Sequence, residues 1–392
     1  MAKNTIQERL GASLTVRKDV RFAWFGWAAL FLVITTMIIA GNTRVAIPAY
    51  WIAALNWIAG FNLYDGTGIG GFVYLPQAAI LFVPFALLPK ILCEVLWRVV
   101  NIGTFAVGLR SFSRLASERS GIELFPLMTL TTIPFAWDCA RNGQATLAMT
   151  GLMLLAVSDV AHTRWWRATL WLSLGLALKP LIIVLVLLIM AIERPMIWRV
   201  FLGIVAVAIA PFLAQHPGYV LQQYTAFIHN TKAAAHVGVI ASGWSTPFTA
   251  LRIAGVEVPE HFQTIFRLIA AFTTLVLCIV AKRKHYANRY AVYLFSLAAT
   301  YIILFSPRTE TVTYALLGPA IAAFLSQAFL IENRVAAGML LTSIALATIG
   351  SGVFQPLIAP QAEAIWLPPL MATCFALYLL FRFFTDPEIY GQ

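Results

Sequence analysis

The chain has 392 residues, of which 60% are hydrophobic and only 11% are charged, and its mean hydropathy is +0.82. A water-soluble domain carries about a quarter charged residues, so this composition excludes an ordinary soluble protein and indicates a lipid bilayer as the solvent. The net charge of +11 does not indicate nucleic acid, because the basic residues stand in short clusters between apolar blocks, as in the cytoplasmic loops of membrane proteins.

The first apolar block, 22–41, follows Arg17, Lys18 and Arg21. It is too long for the core of a signal peptide, and no small-residue cleavage site follows it, so we predict a retained first helix. Gly and Pro interrupt many of the later blocks and strand-like alternation is absent, which favours helices over a barrel. The later blocks are 72–89, 91–109, 122–137, 143–161, 168–178, 180–192, 196–214, 262–281, 290–305, 312–330, 335–350 and 364–382.

The loop 42–76, between the first two blocks, is predicted to hold an interfacial helix. Pro48 suits the first turn of such a helix and Gly60 suits its C-terminal stop. Tyr50 and Trp51 favour the level of the lipid headgroups.

The basic clusters predict which loops are cytoplasmic, and they agree with one another if one early block does not cross. The block 72–89 is the best candidate, because it is short and three prolines break it. The chain then crosses twelve times with both termini inside, and 168–178 and 180–192 are short crossings hinged at Lys179 and Pro180. The predicted cytoplasmic residues are Arg17, Lys18, Arg21, Arg110, Arg114, Arg119, Arg164, Arg167, Arg194, Arg199, Lys282, Arg283, Lys284 and Arg289.

An alternative topology joins 168–178 and 180–192 into one span and lets 72–89 cross. It puts Arg110, Arg114 and Arg119 outside, against the positive-inside rule, so we favour the first topology.

Polar residues at membrane depth usually mark function, and here they form four clusters on the predicted outer face. Each has a simpler alternative: Asp65 as a turn residue, 141–143 as a polar turn, Lys179 as a lysine reaching the interface, and Arg308 with Glu310 as a mutual ion pair. The clusters are 62–65 with 72–77, then 138–144, Lys179-Pro180, and 306–310 with Tyr314.

This arrangement resembles glycosyltransferase family 87, membrane enzymes of the GT-C type that use polyprenyl-phosphate mannose or related donors. The resemblance rests on 60–64 running into 72–76, on 142–144, on Lys179-Pro180, and on 306–310 with Tyr314. The apolar blocks themselves predict an all-α polytopic membrane protein of about 12 transmembrane helices plus interfacial or re-entrant helices. The resemblance implies that this fold is GT-C-like, with juxtamembrane helices in the first extracytoplasmic loop. It also implies a lipid-phosphate donor and an inverting transfer to a hydroxyl.

One feature departs from the family pattern. GT-C enzymes usually carry an acidic residue early in the first outer loop, whereas the stretch 41–48 holds Arg44 and no carboxylate. The base is therefore expected to be another outer acid, since a carboxylate must take the proton of the attacking hydroxyl. Asp65 ranks first, Glu310 a near second and Asp138 third.

The chemistry of the leaving group predicts the phosphate ligands, and the motifs that carry the resemblance supply most of the predicted substrate contacts. Cations stabilise a leaving phosphate, so Arg141, Lys179 and Arg308 are the predicted donor-phosphate ligands. The predicted substrate contacts are Arg44, Tyr64, Tyr74, Gln77, Asn142, Gln144, Trp244, Arg252 and Tyr314.

No metal and no cofactor are expected. His229 and His236 share an outer loop without partner ligands, and no Asp-x-Asp motif stands among the outer acids. The cysteines have unrelated spacings that predict neither a disulfide framework nor a metal site; they are Cys93, Cys139, Cys278 and Cys374.

The sequence thus predicts one integral membrane domain over 1–392, with outer loops at 42–76 and 215–261. We expect a glycosyltransferase of a bacterial inner membrane with its active site on the extracytoplasmic face. Its expected partners are a polyprenyl-phosphate sugar donor, a lipid or glycan acceptor and membrane lipids, but no nucleic acid. The alternative is a transporter or flippase of lipid-linked sugars, although the inverted repeats typical of transporters are not visible in the sequence.

Overall fold

The computed structural model describes residues 2–41, 46–65, 71–117, 120–235, 244–358 and 364–386. Within these ranges the regular structure is helical and contains no strand, which confirms the predicted all-α class. The helices are α1 Ala2–Ile39, α2 Ile47–Ala59, α3 Pro76–Ala86, α4 Lys90–Ala116, α5 Phe125–Asn142, α6 Thr146–Ala161, α7 Trp165–Leu178, α8 Ile183–Ile192, α9 Met196–Ala214, α10 Pro217–Ala235, α11 Pro247–Ile253, α12 Glu260–Lys284, α13 Ala287–Phe305, α14 Gly318–Leu330, α15 Val335–Ile358 and α16 Leu367–Thr385.

The helices have the length and composition of membrane spans. A bilayer core of about 30 Å needs about 20 apolar residues in a helix, and several shorter apolar helices accompany the long ones. The protein is therefore a polytopic membrane protein. In the described part of the chain, six segments are long and apolar enough to cross: Val20–Ile39, Lys90–Ala116, Met196–Ala214, Glu260–Lys284, Ala287–Phe305 and Leu367–Thr385.

Short turns make consecutive helices run in opposite directions. Among the described residues, twelve helices (α1, α4–α9 and α12–α16) alternate between two ends of the bundle. We call the end with the α5–α6, α7–α8 and α13–α14 connections the site end, and the opposite end the basic end. Over their described residues, six of these twelve helices are long and apolar enough to cross a membrane, and the count of twelve crossings stays a prediction.

The basic end is held together by ion pairs between different helices. Lys282 Nζ lies 2.8 Å from Glu193 Oε2, which joins the end of α12 to the end of α8. Arg289, at the start of α13, pairs with Asp386 just after α16. These two pairs hold the basic turn between α12 and α13 against the ends of α8 and α16.

The segment predicted not to cross forms the short helix α3. Its 11 residues span about 16 Å, roughly half of the hydrocarbon core. Helix α2 lies beside it, and Trp51 Nε1 donates a hydrogen bond to the carbonyl of Ala86 at 3.1 Å. Pro48 stands in the first turn of α2 and Gly60 ends it with φ +75°, as predicted from the sequence.

Helices α4 and α6 touch through their backbones. A Cβ on Gly151 would lie 2.4 Å from the carbonyl oxygen of Thr104, and one on Gly108 would lie 2.5 Å from that of Gly151. Such small residues allow close packing between membrane helices. The contact fixes α6, whose first turn lies at the site end, against α4.

Helix α10 lies across the first outer segment. Gln223 Oε1 accepts a hydrogen bond from the backbone N–H of Leu63 at 3.0 Å, and Asn230 Nδ2 donates to the carbonyl of Phe72 at 3.0 Å. These two hydrogen bonds show that α10, in the long outer loop, holds the chain that leads into α3.

Candidate functional site

The turn between α5 and α6 is the centre of the site end. Gly143 closes α5 with φ +66°, and the next N–H, that of Gln144, donates to the carbonyl of Cys139 at 3.1 Å. A left-handed residue at this position lets the chain turn back sharply. The space is also tight, because a Cβ on Gly143 would lie 2.8 Å from Ile47 and 3.0 Å from the guanidinium carbon of Arg98.

Buried polar side chains on one face of α4 contact the backbone of this turn. Arg98 is fully buried, its Nη2 donates to the carbonyl of Arg141 at 3.0 Å, and its Nη1 lies 3.3 Å from Glu94 Oε2. Trp97 Nε1 donates to the carbonyl of Gly143 at 2.7 Å. The side chains of α4 therefore fix the backbone of 141–143.

Sequence reasoning missed this face of α4. Glu94, Trp97, Arg98 and Asn101 are spaced i, i+3, i+4 and i+7, so they lie on one side of a helix. The signal was a charged pair inside an apolar block, since ionisable residues at membrane depth are costly unless they are paired and have a role.

A chain of hydrogen bonds joins three of the predicted polar clusters. Lys179 Nζ donates to Thr146 Oγ1 at 2.8 Å. The Thr146 hydroxyl donates to Gln144 Oε1 at 3.4 Å, and Gln144 Nε2 donates to Glu310 Oε2 at 2.7 Å. A cation and a carboxylate thus stand at the two ends of one continuous polar bridge.

A break in the helix positions Lys179. Helix α7 ends at Leu178, Lys179 is extended with φ −152° and ψ 115°, and α8 starts after the 3-10 turn Pro180–Ile182. Proline disfavours a helical residue before it and supplies no N–H for the helix. The predicted hinge is present, and it directs a lysine into the site between two apolar helices.

Tertiary contacts position Glu310. It follows the extended segment after α13, and its neighbour Thr309 is buried. The carbonyl of Thr309 accepts from the backbone N–H of Ser245 at 2.6 Å, and Tyr314 Oη donates to the carbonyl of Ser245 at 3.0 Å. The hydroxyl of Tyr314, a predicted substrate contact, thus holds the segment that carries Glu310.

Two stacked tyrosines form the wall of the site. Tyr50 and Tyr74 join their hydroxyls at 3.0 Å, and the Tyr50 oxygen accepts from the N–H of Ala145 at 3.3 Å. Lys179 Nζ lies 5.9 Å from the centre of the Tyr74 ring. Burial raises the pKa of both tyrosines, and the negative charge of Glu310 raises it further. Both hydroxyls therefore stay protonated. Through Tyr74, the cluster 62–65 with 72–77 lies next to Lys179 and so joins the other three clusters.

The sequence model of glycosyltransferase family 87 matches residues 72–307. That is more than half of the chain. The chain belongs to glycosyltransferase family 87. A search of curated proteins found no match. The matched region contains Tyr74, Gln144 and Lys179 and ends three residues before Glu310. Because this is a family of glycosyltransferases, membership supports the predicted enzyme and not the transporter alternative.

The other two predicted carboxylates of this glycosyltransferase are exposed. Asp65 Oδ1 accepts a hydrogen bond from Asn62 Nδ2 at 2.8 Å, next to the end of the first described loop segment. Asp138 is exposed in the last turns of α5. Neither belongs to the polar bridge, so the structure brings together Glu310, and not these two, with Lys179.

The predicted cation Arg308 lies close to Glu310 in sequence but has other contacts. Its Nη2 donates to the carbonyl of Thr231 at 2.6 Å, and its guanidinium carbon lies 5.8 Å from the centre of the Trp244 ring. The alternative of a mutual ion pair with Glu310 is therefore not what the structure contains. Arg308 joins the loop after α13 to α10.

Three further predicted substrate contacts differ in where they lie. Asn142 is partly buried in the α5–α6 turn, and its carbonyl accepts from Ala46 N–H at 3.1 Å. Arg252 lies apart from the bridge in α11, with Nε 3.9 Å from Glu257 Oε1. Arg44 lies outside the described residues.

Two predicted substrate contacts are engaged within the protein. Gln77 Nε2 donates to the carbonyl of Val207 at 2.9 Å and to the Tyr224 hydroxyl, which ties α3 to α9 and α10. Tyr64 Oη donates to the carbonyl of Tyr74 at 2.9 Å. Both side chains thus support the tyrosine wall and the helix behind it.

The two histidines of the outer loop 215–261 are not expected to bind a metal. His229 is in α10 and His236 lies outside the described residues. Across the described ranges no three His, Cys, Asp or Glu side chains form a group that could hold a metal ion.

Proposed function

We propose that this glycosyltransferase moves a sugar from a polyprenyl-phosphate donor to a hydroxyl of a lipid or glycan acceptor, with inversion. The observation that carries the proposal is the hydrogen-bonded bridge from Lys179 to Glu310. It puts a cation for the leaving phosphate and a carboxylate for the attacking hydroxyl in one polar site at the end of a membrane bundle.

Lys179 is the proposed main ligand of the donor phosphate. It lies between two apolar helices, so a lipid donor whose chain stays in the bilayer presents its phosphate at this level. An ammonium group binds phosphate as a point charge, and fixed positive charge near a leaving group lowers the barrier of transfer. Arg141 and Arg308 are the two further cations that we assign to this role.

Glu310 is the proposed general base. The acceptor oxygen forms a bond to the anomeric carbon while the bond from that carbon to the phosphate oxygen breaks. The electron pair of the broken bond stays on the phosphate, beside Lys179, and the proton of the acceptor hydroxyl moves to the carboxylate of Glu310. Attack from the face opposite the phosphate inverts the configuration.

This assignment reverses the order in which the sequence ranked the acids. Asp65 is exposed and bonded to Asn62, whereas Glu310 is partly buried and joined to the site through Gln144. A base must lie within hydrogen-bond reach of the hydroxyl that it deprotonates. Because Lys179 is the proposed ligand of the phosphate, Glu310 on the same bridge is the better candidate for the base than Asp65. Asp138 stays the third candidate.

We further propose that the site end faces the extracytoplasmic side of a bacterial inner membrane. The support is the placement of basic residues at the opposite end, because cytoplasmic loops carry an excess of Lys and Arg. A lipid-linked donor could present its phosphate on this side, because the polar bridge lies at this end of the helices.

Turnover in detergent tests the function. The purified protein is given polyprenyl-phosphate mannose and, in parallel, a nucleotide-linked mannose, each with a membrane lipid extract as acceptor. We expect transfer from the lipid donor alone, with an anomeric configuration opposite to that of the donor when the product is examined by NMR. Transfer from the nucleotide sugar alone, or retention of configuration, would overturn the proposal.

A further inference from the structure

An apolar groove lies between α3, α7 and α9, with a volume of about 610 Å³. Leu170 and Leu202 line it and are exposed on the flank of the bundle, so the groove is open to lipid. Its lining on α9 runs from Arg199 to Ala210, which is about 16 Å of helix. That is roughly half of the hydrocarbon core, the depth of one leaflet.

The groove has a cation and two aromatic rings at the basic end. The guanidinium carbon of Arg199 lies 4.4 Å from the centre of the Trp198 ring and 5.4 Å from that of Trp166. Tryptophan favours the headgroup level of a membrane. The mouth of the groove therefore stands at the level of lipid phosphates.

Among the residues that the structure describes, Arg199 has no acidic partner, in contrast to Arg164 and Arg167 of the neighbouring helix end. Arg164 and Arg167 both pair with Asp159, at 3.6 Å and 3.2 Å. Arg199 donates only to the backbone carbonyl of Pro195 among the residues that the structure describes, and its Nε is buried without a hydrogen bond. Its charge is thus available to an anion from outside the chain.

We propose that this groove binds one anionic phospholipid, with its phosphate on Arg199 and an acyl chain along α7 and α9. Basic pockets between membrane helices on the cytoplasmic side recognise anionic headgroups, and the unpaired cation at the mouth supplies that complementarity. The inference is independent of the transfer reaction. A chain in the groove packs against α7, the helix that ends directly before Lys179, so the bound lipid braces the helix that positions this lysine.

Native mass spectrometry of the full-length protein in detergent tests the site. The probes are phosphatidylglycerol and phosphatidylcholine with identical acyl chains. We expect one phosphatidylglycerol to bind in preference to phosphatidylcholine, and Arg199→Gln to weaken that preference about fivefold, as one cation near a membrane surface contributes. The matched control is Arg194→Gln. Arg194 is exposed in the turn before α9 and does not line the groove, so this variant should keep the preference for phosphatidylglycerol.

A second pair of variants tests the groove itself. Ala206→Phe narrows the lining, whereas Ile209→Phe adds the same ring on an exposed part of α9 outside it. Only Ala206→Phe should reduce phosphatidylglycerol binding. Equal binding of the two phospholipids, or an unchanged preference in Arg199→Gln, would overturn the proposal. Displacement of phosphatidylglycerol by polyprenyl phosphate from wild type and Arg199→Gln alike would also overturn it, because the groove would then belong to the donor chain.

Discussion

Replacing Glu94 by Gln tests whether the buried pair under the α5–α6 turn holds the site. The variant keeps the shape of the side chain and removes the charge that neutralises Arg98, which is fully buried and already carries an unbonded Nε. Removing one partner of a buried ion pair costs about 3–5 kcal/mol, because the other charge is left without compensation. We expect the free energy of unfolding to fall by about that amount, a large share of the ~5–15 kcal/mol that stabilises a folded protein.

The measurement is unfolding in mixed micelles, followed by tryptophan fluorescence as the fraction of denaturing detergent rises. Glu257→Gln is the control, since Glu257 is exposed and lies 3.9 Å from Arg252, and surface pairs of this kind contribute little. An unfolding curve of Glu94→Gln that overlies the wild-type curve would refute the reasoning.

A double variant separates stability from positioning. Replacing a buried ion pair by apolar side chains is often neutral, so Glu94→Leu with Arg98→Met should regain most of the lost stability. It should still lose transfer activity, by about a hundredfold, because the backbone of the turn that carries Gln144 loses its anchor and small misplacements are costly in catalysis. A double variant that is both stable and fully active would show that the turn needs no support from α4.

Three further predictions concern packing, donor binding and sidedness. Gly151→Val should prevent stable folding, because a Cβ there meets the α4 backbone, whereas Gly103→Ala should fold normally because nothing lies within 4 Å of its added Cβ; the yield of monodisperse protein by size-exclusion chromatography compares them. Lys179→Gln should insert normally but lower transfer about a hundredfold or more in the detergent assay, and near-normal turnover would leave the lysine only an interfacial role. Cysteine at Asn142 should react with an impermeant thiol reagent from the extracytoplasmic side and cysteine at Arg283 from the cytoplasmic side only, and the reverse pattern would contradict the orientation.

The sequence predicted those features of the fold that are set locally. Pro48 and Gly60 mark the ends of α2, and Pro180 breaks the chain after Lys179, because each acts through its own backbone geometry. The length and the prolines of 72–89 likewise predicted a helix too short to cross. The apolar blocks and the basic clusters predicted the alternation of the twelve helices.

The contacts of the site could not be predicted in the same way, because they join distant segments. Gln144 and Glu310 are 166 residues apart, and their hydrogen bond is what joins Glu310, and not Asp65, to the polar bridge. Tyr50 carried the pattern of a headgroup-level aromatic, yet it is 3% exposed and bonded to Tyr74. Nearness in sequence did not show the contacts of Arg308 either: it binds the carbonyl of Thr231 in α10 and not the neighbouring carboxylate of Glu310.

The central claim is that Glu310, and not Asp65, takes the proton of the acceptor. Each residue is replaced by its amide, which keeps the shape and removes the basicity. The first-order rate of transfer is then measured at saturating polyprenyl-phosphate mannose in detergent, together with binding of the donor. We predict that Glu310→Gln loses about two to four orders of magnitude in rate while it still binds the donor, and that Asp65→Asn keeps most of its activity. Loss of transfer in Asp65→Asn alongside a nearly unchanged rate in Glu310→Gln would contradict the account.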